Sequence, residues 1–235
     1  MFFSIFNNLT EGEKNAAVEG LVKESTPSHD FFLMMLLSVL MATCGLLINS
    51  SAVIIGSMLV APLLSPILGL SLGIVMSDYK LITRSFYTIL KASVYSLIAA
   101  TILAMFFLPQ GYGVTPEILA RTSTSVIYAI VAILAGLAAS FAYIKPQLNK
   151  TLPGIAIAVA LIPPLSVSGI GIAMLNWSII SKAFSLFLIN IVGIILASTV
   201  VFSLMNLYAK RMLAEKTAEK EDRKLEREEK LEIEK

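Results

Sequence analysis

The sequence predicts an all-α integral membrane protein of six transmembrane helices, arranged as a 3+3 inverted repeat with Pro-broken helices 2 and 5. Three observations carry that expectation. Of the 235 residues 57% are hydrophobic and only 14% charged, where a soluble domain is about half apolar and a quarter charged. Charge is segregated: residues 31–208 carry few charged side chains, whereas most of residues 209–235 are charged. Two apolar runs carry proline in similar settings, Leu59-Val60-Ala61-Pro62-Leu63 and Leu161-Ile162-Pro163-Pro164-Leu165.

The elements follow in order. Residues 1–29 form an N-terminal arm. Met1-Phe2-Phe3-Ser4-Ile5-Phe6 lacks the basic start and cleavage site of a signal peptide and is expected to be retained. Thr10 and Glu13 have capping-box spacing, and the helix they open would place Ala17, Val18, Leu21 and Val22 on one side. That face suits a bilayer surface; a loosely ordered arm fits equally. Thr26-Pro27 then reads as a helix start.

From there, segments of the length needed to cross the hydrocarbon fall at 30–49, 52–76, 86–108, 124–144, 153–175 and 183–208. The first two are separated by the polar hairpin Asn49-Ser50-Ser51. Six spans place both termini on one side. Lys14, Lys23, Lys80, Arg84, Lys145, Lys150 and the basic residues of the tail share that side, against Arg121 and Lys182 on the other. The positive-inside bias therefore puts both termini in the cytoplasm of a plasma-membrane protein. Residues 209–235 read as a charged helix, with Glu219–Arg223 and Glu226–Lys230 as favourable pairs. Leu225 and Ile233 are too sparse for a coiled-coil seam, so the tail is expected to be solvated.

A constant spacing of 102 superimposes Ile55 on Ile157, Leu59 on Leu161, Pro62 on Pro164, Leu63 on Leu165, Gly69 on Gly171 and Ser96 on Ser198. Three spans per half would invert the second copy in the membrane.

The chemistry expected at mid-depth is backbone chemistry. Proline lacks an N–H and crowds the carbonyl four residues earlier. Pro62 and Pro66 would free the carbonyls of Met58 and Pro62; Pro163 and Pro164 would free those of Val159 and Ala160. With the hydroxyls of Ser57, Ser65, Ser166 and Ser168 these could line a polar, uncharged path for a small ion or neutral solute. The competing reading is a kinked helix whose freed groups are satisfied by neighbours. Asn190 either clamps an adjacent helix or faces a cavity. Gly56, Gly69, Ser71, Gly73, Gly169 and Gly171 would let helices approach closely, within one chain or between copies in a homo-oligomer.

Other classes are disfavoured. No acidic residue or histidine lies deep in a span, which argues against a buried proton relay. His29 stands at a helix start, and the single Cys44 reads as a small buried residue. No nucleophile–base pair, metal cluster or nucleotide loop is present in the sequence, so no enzyme, cofactor or metal is expected. The near-balanced charge, +2, gives no basic face for nucleic acid.

The stretch from Asn49 through Ala61-Pro62-Leu63-Leu64-Ser65-Pro66 to Gly69, with the later Leu161-Ile162-Pro163-Pro164-Leu165, resembles the domain-of-unknown-function 389 family, an uncharacterised hydrophobic domain of bacteria and archaea. The resemblance covers roughly residues 30 to 208 and implies a membrane fold without a stated activity. Larger members carry a soluble domain before the first span, where this chain has only a short arm. Two functions remain open from the residues: a transporter or channel centred on the breaks, and a non-conducting scaffold or regulator acting through the charged tail.

Overall fold

A computed structural model describes residues 10–108, 113–123, 125–145, 148 and 160–233. The described residues are helical or in turns: α1 (Glu11–Glu24), α2 (His29–Leu47), α3 (Ser51–Val60), α4 (Leu64–Met76), α5 (Tyr79–Phe107), α6 (Pro116–Ala120), α7 (Val126–Ile144), α8 (Ile162–Ala173), α9 (Trp177–Leu204), a 3-10 turn (Leu207–Lys210) and α10 (Arg211–Ile233). Four helices, α2, α5, α7 and α9, are long and apolar enough to cross a membrane; α3 and α4 together make a fifth, bent by 49° at its break. Exposed apolar belts on α5 (Ile98, Ile102, Phe106), α7 (Ile127, Ile130, Leu134) and α9 (Val192, Leu196, Val200) are suited to lipid.

The expected spans shift at several ends. The span expected at 86–108 is α5, which starts at Tyr79 because Asp78 caps it, accepting from Lys80 N–H and Leu81 N–H at 3.0 and 3.2 Å. Lys80 and Arg84 therefore lie in helix rather than in a connection. Lys91 stands well inside α5 and reaches the face of the Tyr87 ring, 5.9 Å from its centroid. The span expected at 183–208 is α9, so Lys182 is also helical. Ser28, not Thr26, caps α2. Only part of the fifth expected span, 153–175, is described. There α8 has 12 residues, about 18 Å of helix, too short to cross a hydrocarbon layer alone.

Helix α8 is the centre of the molecule. Every residue from Leu161 to Gly171 is buried, on a helix packed against α2, α3, α5 and α9. A helix apolar on all sides belongs in a core, and this one is walled by other helices rather than by lipid.

One turn design recurs three times. At Gly45, Gly73 and Gly171 the glycine carbonyl accepts from the N–H five residues on (Ser50, Asp78, Asn176), and the carbonyl of the next residue (Leu46, Ile74, Ile172) accepts from the N–H three residues beyond it (Asn49, Ser77, Leu175). Asn49, Ser77 and Leu175 are left-handed, with φ of 56°, 52° and 53°. This is a Schellman ending. The residue nine positions after each glycine is isoleucine, and a Cβ on the glycine would meet its backbone nitrogen at 3.0 Å (Ile54), 3.0 Å (Ile82) and 3.1 Å (Ile180). Glycine is what lets the returning helix close so tightly. The spacing of 102 pairs Gly69 with Gly171, whereas this turn geometry is common to Gly73 and Gly171, at a spacing of 98. The latter spacing also brings Pro66 into register with Pro164.

Helices α1 and α10 pack together at one end of the bundle. The expected capping box forms: Thr10 Oγ1 accepts from Glu13 N–H, and Glu13 Oε2 accepts from Thr10 N–H at 2.8 Å. Ala17, Val18, Leu21 and Val22 do share a buried face. That face is covered by protein, however, since α1 packs on α4, α7, the 3-10 turn and α10. This corrects the expectation of a bilayer-surface or loose arm; Phe2, Phe3, Ile5 and Phe6 lie outside the described residues. The tail is helical as expected but docked rather than solvated on all sides. Ala214 and Ala218 are buried, and Glu219 pairs with Lys80 at 3.7 Å.

Candidate functional site at the helix breaks

The first break is written in its backbone. Helix α3 ends at Val60, and Ala61 turns extended (φ −73°, ψ 123°), as a residue before proline must. Leu63 returns to helical angles and α4 begins. In the last turn of α3 the Ser57 carbonyl accepts from Ser38 Oγ of α2 at 2.7 Å. Ser57 Oγ is itself turned inward, donating to the Ile54 carbonyl at 2.6 Å. Ser57, Met58 and Pro66 are buried; Pro62 and Ser65 are half-buried.

The second motif behaves differently from the expectation. Pro163 and Pro164 do not interrupt a described helix; they occupy the first turn of α8, where a missing N–H leaves no helical bond unmade. The lead-in residue Ala160 has φ 46°, an uncommon angle for a residue with a Cβ. Its carbonyl, one of those expected to be free, accepts from Asn190 Nδ2 of α9 at 3.5 Å. Asn190 is 5% exposed and so acts as a clamp between α9 and the start of α8. Val159 lies outside the described residues. Ser168 Oγ donates to the Pro164 carbonyl at 2.8 Å. Ser166 Oγ is buried with no hydrogen-bond partner among the described residues, as is Ser96 Oγ of α5.

The two motifs converge. Met58 shares a buried apolar cluster with Val167 and Ile170, and Ala160 packs against it; Leu63 shares another with Leu161 and Leu165. Helices α5 and α8 run in the same direction, because Ala104 joins the cluster of Val167 and Ile170 while Ala92 and Ala100 join that of Leu161 and Leu165. They touch where a Cβ on Gly169 would meet Ala100 Cβ at 2.5 Å, and Thr101 Oγ1 shares its proton between the Leu97 carbonyl at 2.7 Å and the Gly169 carbonyl at 3.1 Å. In this conformation the breaks are lined mainly by side chains in contact, with polar groups of Ser57, Ser168 and Asn190 bonded inside the protein.

Sequence reasoning missed a carboxylate at the first break. Glu24, the last residue of α1, accepts from Ser65 Oγ at 2.9 Å and from the Tyr143 hydroxyl of α7. The next residue, Ser25, shares its Oγ proton between the Leu21 carbonyl at 2.6 Å and the Ser65 carbonyl at 3.1 Å. Glu24 lies before the first span, so a search for charges within spans passes over it. The available signal was the polar triplet Glu24-Ser25-Thr26 closing an amphipathic helix. Among the described residues no group of three or more His, Cys, Asp or Glu could hold a metal ion. Cys44 is half-buried with a free thiol.

A family model described as "Domain of unknown function (DUF389)" matches residues 58–196, which contain α4, α5, α7 and α8 and most of α9. An uncharacterized protein of Methanocaldococcus jannaschii is 32% identical over 207 residues, a match that covers 83% of this chain and 63% of that protein. No solved structure matches the chain.

Proposed function

The chain belongs to the domain-of-unknown-function 389 family, and on that premise we propose that it is a non-enzymatic, multi-pass membrane conduit for a small ion or neutral solute, held here in an occluded conformation. The observation that carries this reading is the convergence of the two proline motifs. Met58 from the first and Ala160 from the second meet in one cluster, beside the Ser57 carbonyl, which accepts from Ser38 Oγ. A bent span that meets a half-length helix inside a bundle is the kind of place where membrane carriers handle their cargo.

The architecture proposed around it is a pair of inverted three-span halves. In support, the Gly73 and Gly171 turns lie at opposite ends of the bundle, and the halves exchange partners: α8 packs on α5, and α4 on α9. We place the end carrying α1 and α10 in the cytoplasm of a plasma-membrane protein, because Lys14, Lys23, Lys80, Arg84, Lys145 and Lys210 gather there. Copies would associate through lipid-facing surfaces of the long helices.

Reconstituted protein should pass at least one member of a panel of ions and neutral solutes in a liposome flux assay. Cysteines placed singly at positions 57 to 66, with Cys44 replaced by Ala, should react with a water-soluble thiol reagent at Ala61, Pro62 and Ser65. Uniform protection with no flux would favour the second reading, a scaffold or regulator acting through its tail. The observation in favour of that reading is that the polar groups of Ser57, Ser168 and Asn190 are already satisfied internally.

A further inference from the structure

We propose that the charged tail helix α10 is an ionic latch on the α3/α4 break, acting through the strap Glu24-Ser25-Thr26; the functional meaning of the latch rests on the reading of that break as part of a conduit. The strap has two sides. Toward the break, Glu24 and Ser25 contact the hydroxyl and carbonyl of Ser65, in the first turn of α4 after the bend: Glu24 accepts from the hydroxyl at 2.9 Å, and Ser25 Oγ shares its single proton between the Leu21 carbonyl at 2.6 Å and the Ser65 carbonyl at 3.1 Å. The strap lies against α4 without slack, because a Cβ on Gly69 would overlap Ser25 Oγ and come within 2.9 Å of its Cβ.

Toward the tail, Thr26 Oγ1 accepts from the Arg84 guanidinium while donating to the Val22 carbonyl at 3.0 Å. Arg84 in turn reaches two points on α10. Its Nη1 pairs with Asp222 Oδ1 at 2.7 Å and donates to the Ala218 carbonyl at 3.2 Å. Arg84 is largely sequestered, with 11% of its side chain exposed, whereas the Asp222 side chain is 59% exposed. Departure of α10 would strip a half-buried cation of its carboxylate partner, and such a cation must then draw water or move. Lys80–Glu219 holds α10 at a further point, and Lys210–Glu11 ties the 3-10 turn before it to α1.

The chain of contacts is therefore continuous from Asp222 through Arg84, Thr26 and Ser25 to Ser65. Its outer links are ion pairs with exposed members, which salt screens. Its inner links, Arg84 to Thr26 and Ser25 to Ser65, are partly buried and each has a neutral partner, so salt weakens them less. The latch should open from the outside.

The test uses full-length protein in liposomes, with Ala61→Cys in a Cys44→Ala background and the labelling rate of a water-soluble maleimide as readout. Asp222→Lys should raise that rate at least about threefold at low salt, the scale of one lost partly buried pair. High salt should raise it similarly in the parent protein. Glu219→Lys should act in the same direction, and Lys80→Glu with Glu219→Lys should restore the parent rate. A spin-label distance between α5 and α10 reports whether the tail has moved. Tail release without a change in labelling overturns the latch, and so does a tail that neither salt nor Asp222→Lys can release. Flux in the same liposomes tests the conduit separately. Labelling that follows tail release in a protein without flux leaves the latch standing and removes the conduit.

Discussion

Leu175 is a residue in the wrong conformation for its side chain. It is left-handed at φ 53° and 91% exposed, at a position where Asn49 and Ser77 serve the two sister turns. Leu175→Gly should stabilise the protein by about 0.5–1 kcal/mol, because only the strain is removed and no packing is lost. A rise in thermal midpoint in detergent checks it. Asp78 is the opposite case, a 2% exposed cap whose Oδ1 holds two N–H groups of α5. Asp78→Ala should lower stability by about 1 kcal/mol, and Asp78→Asn should recover most of that. Local chemistry of this kind was readable in the residues themselves. The capping box at Thr10 and the bend at Pro62 form as their side chains dictate. Thr26 misled, because its hydroxyl bonds to the Val22 carbonyl and to Arg84 instead of capping α2, and neither partner can be seen from the adjacent sequence.

At the scale of elements, hydropathy located the long helices but not their partners. Alternation of exposed and buried positions distinguishes α5 or α9 as a helix with a lipid face, yet α8 is apolar on all sides in sequence whether lipid or protein surrounds it. Only the packing shows that it is the core. The same limit applies to Pro163 and Pro164, which break a helix or begin one according to what precedes them. Helices α7 and α9 illustrate how small residues set element spacing. A Cβ on Gly136 would come within 2.8 Å of Ile194 Cα, and one on Gly193 within 2.7 Å of Ala132 Cβ; Ser140 and Ser198 hydroxyls lie 3.3 Å apart in the same seam. Backbone cannot yield as a flexible side chain does. Gly136→Ala should therefore destabilise by about 1–3 kcal/mol, and Gly136→Leu should abolish a monodisperse chromatographic peak. Gly56, with open space around its Cα, should accept Ala without loss.

At the scale of the whole molecule, the two terminal helices form a cap at one end, and their contact should respond to acid. Glu11 is held below its ordinary value, first by its hydrogen bond to Lys210 and then by that to Lys14. A depressed carboxyl contributes above its unfolded value, near 4.5, and the contribution is lost as pH falls through the lower folded value. The distance between labels on α1 and the 3-10 turn should thus stay constant from neutral pH down to about 5 and lengthen only in stronger acid. Such long-range pairings, Lys210 with Glu11 or Asp222 with Arg84, were hidden in a sequence that offers equally good neighbours within the tail. The exchange of partners between halves has a consequence for biogenesis. During synthesis α4 and α5 leave the ribosome long before α9 and α8, the helices that cover them. The first half must wait in the bilayer with bare flanks, so a chain stopped after Lys145 should be degraded, whereas the two halves produced as separate polypeptides should find each other and survive.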